Sequence, residues 1–171
     1  MQATTKTTNR SVAPVSRRQA IQSLSGAALA IAASAPAALA NRQRTIRVAG
    51  VGTVYQDGSH CDVIFGKILE GWRHDGGPGP NMELTGLYMD QFPENDMARE
   101  LAKEYDFPIF DSIGEAITLG TDQLQCDGVI SVGEHGEYPF TPDTNQHKYP
   151  RRRFFDEIAD TFESVSAVRP V

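Results

Sequence analysis

Short apolar runs alternate four times with segments of helical periodicity, and this alternation constrains the fold more than any other feature. The apolar runs are 46–51, 83–89, 107–110 and 128–133, and the helical segments are 59–72, 94–105, 112–119 and 151–165. Strands joined by helix-length crossovers pair in parallel and are covered on both faces. The sequence therefore predicts an α/β fold, a doubly wound parallel sheet of four to five strands. Residues 167–171 are the candidate start of the fifth strand.

The first 40 residues have the pattern of an export signal. The pair Arg17–Arg18 precedes an apolar run at 24–33, and Ala38-x-Ala40 is typical of a cleavage site. Twin arginines favour the twin-arginine route, although Ala20 stands where that motif usually carries Phe. Ordinary secretion and no export stay open as alternatives. We expect a periplasmic or secreted protein that meets the twin-arginine export machinery.

The apolar run of the signal is too short and too rich in alanine for a stable membrane span. We expect the signal segment, 1–40, to be disordered and residues 41–171 to form one domain.

The charge of the domain limits its partners. Four of the 16 basic residues lie in the signal, which leaves 12 against 22 acidic residues in 41–171, a net charge of −10. Nonspecific nucleic-acid binding depends on Lys and Arg, so no nucleic-acid partner is expected. The basic cluster at 151–153 is interpreted as a solvated helix start.

A glycine turn follows the first strand. Gly50 and Gly52 occupy the first two positions of the G-x-G-x-x-G fingerprint, which allows a tight turn and a close approach of pyrophosphate. Tyr55 stands where the third glycine belongs, and the helix begins later, after Ser59. Thr53 and Ser59, beside the amides of that helix start, are candidate partners of an anion.

Asp90, at the end of the second strand, has the place of the acid that holds a ribose hydroxyl. With it, the turn predicts a Rossmann-like site for NAD or NADP at Gly50, Gly52, Thr53, Ser59 and Asp90. The alternative is a sheet of this type without a cofactor.

Three segments resemble the N-terminal half of the Gfo/Idh/MocA family, the glucose-fructose oxidoreductase and inositol dehydrogenase type. They are IRVAGVGTVY at 46–55, MARELAKEYDFPIFDSIGEAI at 97–117 and DGVISVGEHGEYP at 127–139. The resemblance implies a nicotinamide cofactor and hydride transfer at a sugar or polyol carbon. It also implies export of the domain folded around its cofactor.

Two departures from the family limit the functional prediction. The chain has no E-K-P lysine after a fifth strand and no second, substrate-binding domain, so no catalytic residue is assigned. We expect the NAD(P)-binding domain of an exported oxidoreductase, inactive alone. The alternative is an exported, non-catalytic binding or interaction module. An incomplete sheet leaves one edge open, so a homo-oligomer is also expected.

The four histidines supply a weaker hypothesis. His60 begins a helix and His135 follows the fourth strand, so both belong to the same rim of the sheet. One interpretation is that His60 and His135 form a joint site for metal or substrate. The favoured interpretation is that both are partly exposed loop residues near a cleft. His74 and His147 are interpreted as surface residues, and no metal site is assigned.

Overall fold

Four parallel strands form one sheet in the computed structural model, which describes residues 44–72 and 76–171. They are β1 (Ile46–Gly52), β2 (Met82–Met89), β3 (Ile109–Phe110) and β4 (Gly128–Val132). Their order in the sheet is β3-β2-β1-β4, and all three pairings are parallel. The predicted parallel α/β sheet is therefore confirmed, with four strands in the described part of the chain.

Strand β1 lies between β2 and β4, so its last five residues are buried. Its pairing with β2 shifts register between Val48 and Ala49. At this shift the hydroxyl of Thr85 donates to the carbonyl of Val48 over 3.2 Å. The side chain thus gives a partner to a backbone group that the regular ladder leaves out.

Four helices cover the sheet: α1 (His60–Leu69), α2 (Ala98–Glu104), α3 (Ile113–Thr118) and α4 (Arg151–Ser164). Ser59 and Ser112 cap α1 and α3 with their side-chain oxygens. Helix α1 ends at Leu69, whereas the sequence pattern predicted that it would continue to Trp72. The reason is Gly71, which has a left-handed φ of 77° that ends regular helix.

Two apolar clusters fill the two faces of the sheet. The first packs α1 and α2 against β1 and β2, around residues such as Val48, Phe65, Leu84, Leu87 and Leu101. The second packs α3 and α4 against β1 and β4, around Ala49, Val51, Ile117, Phe154 and Ile158. Neighbouring residues of β1 alternate between the clusters, as the period of a strand requires.

The sheet is shorter than predicted at both edges. Only Ile109 and Phe110 of the third apolar run pair with β2, because Pro108 has no backbone N–H to add to the ladder. Residues 167–171 form no strand, although the carbonyl of Pro170 accepts from the Val129 N–H over 2.9 Å. Apart from this bond, no strand of the described chain pairs with the outer side of β4, which is the open side of that strand.

The predicted signal segment, 1–40, and His74 lie outside the described residues. Among the described helices, none is long and apolar enough to cross a membrane.

Candidate functional site

The chain changes direction across the sheet between β1 and β4. From β1 it proceeds to β2 and β3 on one side, and it then crosses to β4 on the other side. In open parallel sheets, the crevice beside the carboxyl ends of two such strands is the usual place of a ligand. The segments 53–60 and 133–151 border this crevice, since they follow β1 and β4.

Four side chains meet at the crevice: His60, Glu134, His135 and Arg151, here called the crevice cluster. His60 is the first residue of α1, and its Nδ1 atom lies 2.8 Å from Oε2 of Glu134. The same Nδ1 atom lies 2.9 Å from Nε2 of His135. A carboxylate and a second imidazole thus contact one nitrogen of His60.

Arg151 joins the cluster from the first turn of α4. Its guanidinium donates to the other carboxylate oxygen of Glu134 over 2.6 Å and to the carbonyl of Gly133 over 3.2 Å. A Cβ atom on Gly133 would lie 2.8 Å from Cγ of Arg151, so only glycine lets the arginine lie so close to the end of β4. Both carboxylate oxygens of Glu134 therefore have a partner, which fixes the carboxylate.

The cluster borders a cavity of about 380 Å³, which is in the size range of small-molecule sites. Besides His60, Glu134 and Arg151, the cavity is lined by Ile64, Ser131, Val132, Gly133, Phe155 and Val171. Phe155 is 59% exposed, a large fraction for an aromatic ring. The cavity thus combines hydrogen-bond donors, a carboxylate acceptor and an apolar wall, and the charges of Arg151 and Glu134 balance.

The two glycines of the predicted cofactor turn lie against the chain's own side chains. A Cβ atom on Gly50 would lie 2.7 Å from Leu87 and 3.1 Å from Phe65. One on Gly52 would lie 2.7 Å from Sγ of Cys61 and 3.0 Å from Sδ of Met89. The close packing of α1 and β2 on β1 accounts for both glycines.

The loop after β4 covers the rest of the turn. Thr53 is fully buried, and its hydroxyl donates to the carbonyl of Glu134. Val54 and Tyr55 have at most 1% exposure. The hydroxyl oxygen of Ser59 accepts from the N–H groups of Asp62 and Gln56, so it is already used within the chain.

Asp90 has the predicted place at the end of β2, but its carboxylate is engaged. It accepts from the hydroxyl of Tyr88 over 2.7 Å and from that of Tyr138 over 2.6 Å. The guanidinium of Arg153 donates to it as well. Burial opposes ionisation of Asp90, but the bonds from Tyr138, Tyr88 and Arg153 outweigh it and hold the pKa of Asp90 below its usual range.

In this conformation the predicted cofactor residues do not fit a pyrophosphate and a ribose. The space beside Gly52 is filled, the peptide units of 53–55 are covered, and Asp90 has three donors. The segment 133–138 supplies the contacts of Glu134 with Thr53 and of Tyr138 with Asp90, and the other contacts come from α1, β2 and α4. The assignment of NAD or NADP to Gly50, Gly52, Thr53, Ser59 and Asp90 stays a prediction.

The sequence indicated half of the crevice cluster. It placed His60 and His135 at one rim, and the structure brings their rings into contact. The sequence analysis assigned no role to Glu134 and interpreted Arg151 as part of a solvated helix start. The signal available in the sequence was position, because Glu134 follows a strand end by two residues and Arg151 opens a helix on the same rim.

The other histidine within the described residues is exposed, as predicted. The ring of His147 contacts the Tyr149 hydroxyl over 2.8 Å and stacks on Phe140. In the described part of the chain, no group of three or more His, Cys, Asp or Glu side chains has the geometry to hold a metal ion.

Comparison of the chain with protein-family models, with curated proteins and with solved structures gives no match.

Proposed function

We propose that this domain is a ligand-binding module on a Rossmann-like scaffold, and that it binds a small polyhydroxylated molecule in the cavity beside the crevice cluster. The observation that carries the proposal is the convergence of His60, Glu134 and Arg151 on that cavity, where the chain changes direction across the sheet. Binding sites of parallel α/β folds occupy this place because several loops meet there.

The chemistry of the lining favours a neutral, hydroxyl-rich ligand. Each hydroxyl group both donates and accepts a hydrogen bond, and the cavity offers the acceptor Glu134 and the donor Arg151 side by side. The exposed ring of Phe155 supplies an apolar surface for the C–H face of such a ligand. A strongly charged ligand is disfavoured, since it would leave one member of the Glu134–Arg151 pair without its counter-charge.

A matched pair of arginine variants tests this proposal. We expect calorimetric titration with a panel of monosaccharides and polyols to detect binding, and Arg151→Ala to weaken it at least about tenfold through loss of a charged hydrogen bond. Arg152→Ala is the control, because Arg152 is the next residue and its contact is an exposed pair with Asp156. No binding of any member, or equal weakening in both variants, would contradict the proposal.

NAD or NADP is the second candidate ligand, and the strand order favours it. The order β3-β2-β1-β4 is that of the first four strands of the dinucleotide-binding fold. Together with the resemblance to the Gfo/Idh/MocA family, it supports an NAD(P)-binding domain of a sugar or polyol oxidoreductase. Calorimetric titration of the domain with NAD or NADP to millimolar concentration would test this candidate. Loss of the hydrogen bonds between Gln91 and Glu137 on binding would show that the covering loop has moved.

Twin-arginine export to the periplasm or beyond, and self-association through the open side of β4, stay predictions of the same kind.

A further inference from the structure

We propose that the crevice cluster is an acid–base catalyst as well as a binding site, with His60 as the base that takes a proton from a hydroxyl group of the bound ligand. This inference rests on the proposed function, because the ligand must lie in the same cavity. What points to it is the arrangement of His60 between the cavity and two proton acceptors, Glu134 and His135.

The contacts of His60 determine which of its nitrogens can act as the base. An ionised carboxylate only accepts hydrogen bonds, so the contact of 2.8 Å with Glu134 places the proton of His60 on Nδ1. The lone pair then lies on Nε2, which has no protein partner in the described part of the chain. An imidazole oriented by a carboxylate at one nitrogen and open at the other is the arrangement of a general base.

His135 gives the proton a way out of the cavity. Its Nε2 atom lies 2.9 Å from the protonated Nδ1 of His60, so Nε2 is the acceptor and His135 carries its own proton on Nδ1. When His60 takes a proton on Nε2, it can pass the Nδ1 proton to His135, whose exposed ring releases a proton to water. Glu134 stabilises the transient imidazolium by its charge.

The fold holds His135 in this position at a cost. Its φ of 67° lies in the left-handed region, which is strained for residues other than glycine. Strain of this kind is concentrated at functional sites, where the surrounding structure imposes it. His135 thus has a sparsely populated backbone conformation while its ring contacts His60.

The chemical class that suits this site is a reducing sugar, whose ring forms interconvert by proton transfers alone. His60 takes the proton of the anomeric hydroxyl, the anomeric C–O bond becomes a carbonyl, and the bond from that carbon to the ring oxygen breaks. The ring oxygen takes a proton from water. The proton released through His135 restores the balance, so no oxidant or reductant is consumed. Ring closure on the other face of the carbonyl gives the second anomer.

Roles within the cluster differ. His60 is the catalytic residue, because it contacts the reacting hydroxyl. Glu134 and His135 are positioning and relay residues, since they act through Nδ1 of His60. Arg151 holds Glu134 by its bond of 2.6 Å and stabilises the carboxylate against rotation.

The test measures the optical rotation of freshly dissolved α-D-glucose over time in a buffered solution of the full chain. We expect the rate per protein to exceed that of free imidazole at the same concentration by about 100-fold, a typical gain for a positioned general base. His60→Ala should return the rate to the imidazole level, while His147→Ala, which alters an exposed histidine outside the cluster, should leave it unchanged.

Positioning by Glu134 has its own readout. Glu134→Gln should lower the rate, because a neutral amide no longer stabilises the imidazolium, and Glu134→Asp should restore part of the rate. Thermal unfolding shows that each variant is folded, which is expected since the side chains of His60 and Glu134 are 53% and 39% exposed. Equal rates for the wild type and His60→Ala overturn the catalytic inference. If glucose still binds by calorimetry in that case, the proposed binding function stands.

Discussion

Asp90 is one of the residues at which the loop after β4 is bonded to the strand ends of the sheet. Its carboxylate connects Tyr88 of β2, Tyr138 of the loop and Arg153 of α4. These four residues are called the Asp90 network. Because the pKa of Asp90 is held below its usual range, the ionised form is stabilised by folding. That part of the stability is complete above the ordinary carboxyl pKa and disappears as the pH falls through the lower value of the folded state.

Asp90→Asn should reveal this contribution. We expect it to lower the free energy of unfolding by roughly 2 kcal/mol at pH 7, where it replaces hydrogen bonds to a charged group. The difference from the wild type should shrink below about pH 4, since the wild-type carboxylate is then protonated too. Urea unfolding at several pH values measures it, and Asp160→Asn on the exposed face of α4 is the control. A difference that does not change with pH would contradict this assignment.

At the scale of elements, the contact of α1 with β1 decides what the glycine turn does. Cys61 of α1 and Met89 of β2 fill the space that a side chain at position 52 would need. In contrast, a Cβ atom on Gly66, inside α1, would lie 3.5 Å from the carboxylate oxygens of Asp62 and Glu70. An added side chain would therefore be too close to its neighbours at position 52 but would have ordinary contacts at position 66.

Alanine at the two positions should change stability in opposite directions. Gly52→Ala should destabilise by about 1–3 kcal/mol through overpacking against the buried Cys61. Gly66→Ala should stabilise by up to about 1 kcal/mol, because alanine is the better helix former and has ordinary contacts there. Chemical denaturation of both variants measures the pair. Destabilisation of equal size at both positions would show that the packing of α1 is not as described.

The type and order of the elements could be predicted from sequence because they depend on local periodicity. Each strand is an apolar run covered on both faces, and each helix has an apolar stripe, so the pattern alone indicates a parallel sheet. The sequence placed His60 and His135 at the same rim of the sheet, but its favoured interpretation was exposed loop residues, and the contact of the two rings comes from the structure.

The remaining features depend on the path of long loops, which periodicity does not determine. The sequence pattern assigned Asp90 to a ribose, but the loop 133–150 brings Tyr138 to it and α4 brings Arg153. The same loop covers Thr53 and brings Glu134 between His60 and Arg151. Tyr138 is 48 residues from Asp90 and Glu134 is 81 residues from Thr53, and contacts over such separations have no local signature.

At the scale of the whole molecule, one cysteine lies in the core on each face of the sheet. Cys61 belongs to the first cluster and Cys126 to the second. Burial raises the pKa of Cys61 to about 12 and raises that of Cys126 as well. A thiol needs to be both accessible and ionised to react, so neither is expected to react in the folded state.

Thiol labelling should therefore report unfolding of the whole domain. With native protein at pH 8, we expect iodoacetamide to modify neither cysteine over hours, since burial blocks access to both thiols and raises the pKa of both. Both should be modified within minutes in concentrated urea. Mass spectrometry counts the adducts, and a fast reaction of Cys126 alone in native buffer would show that the second cluster opens independently of the first.

The Asp90 network contacts the chain before and after an exposed, hairpin-like turn at residues 140–147. Tyr138 precedes it, Arg153 follows it, and Phe140 pairs with His147 across its base. A protease that nicks the chain between 141 and 146 would thus leave two fragments held by the same carboxylate. The polypeptide should survive such a cut as a non-covalent complex of two fragments, and the short fragment that carries α4 should bind the long fragment again when the two are made separately.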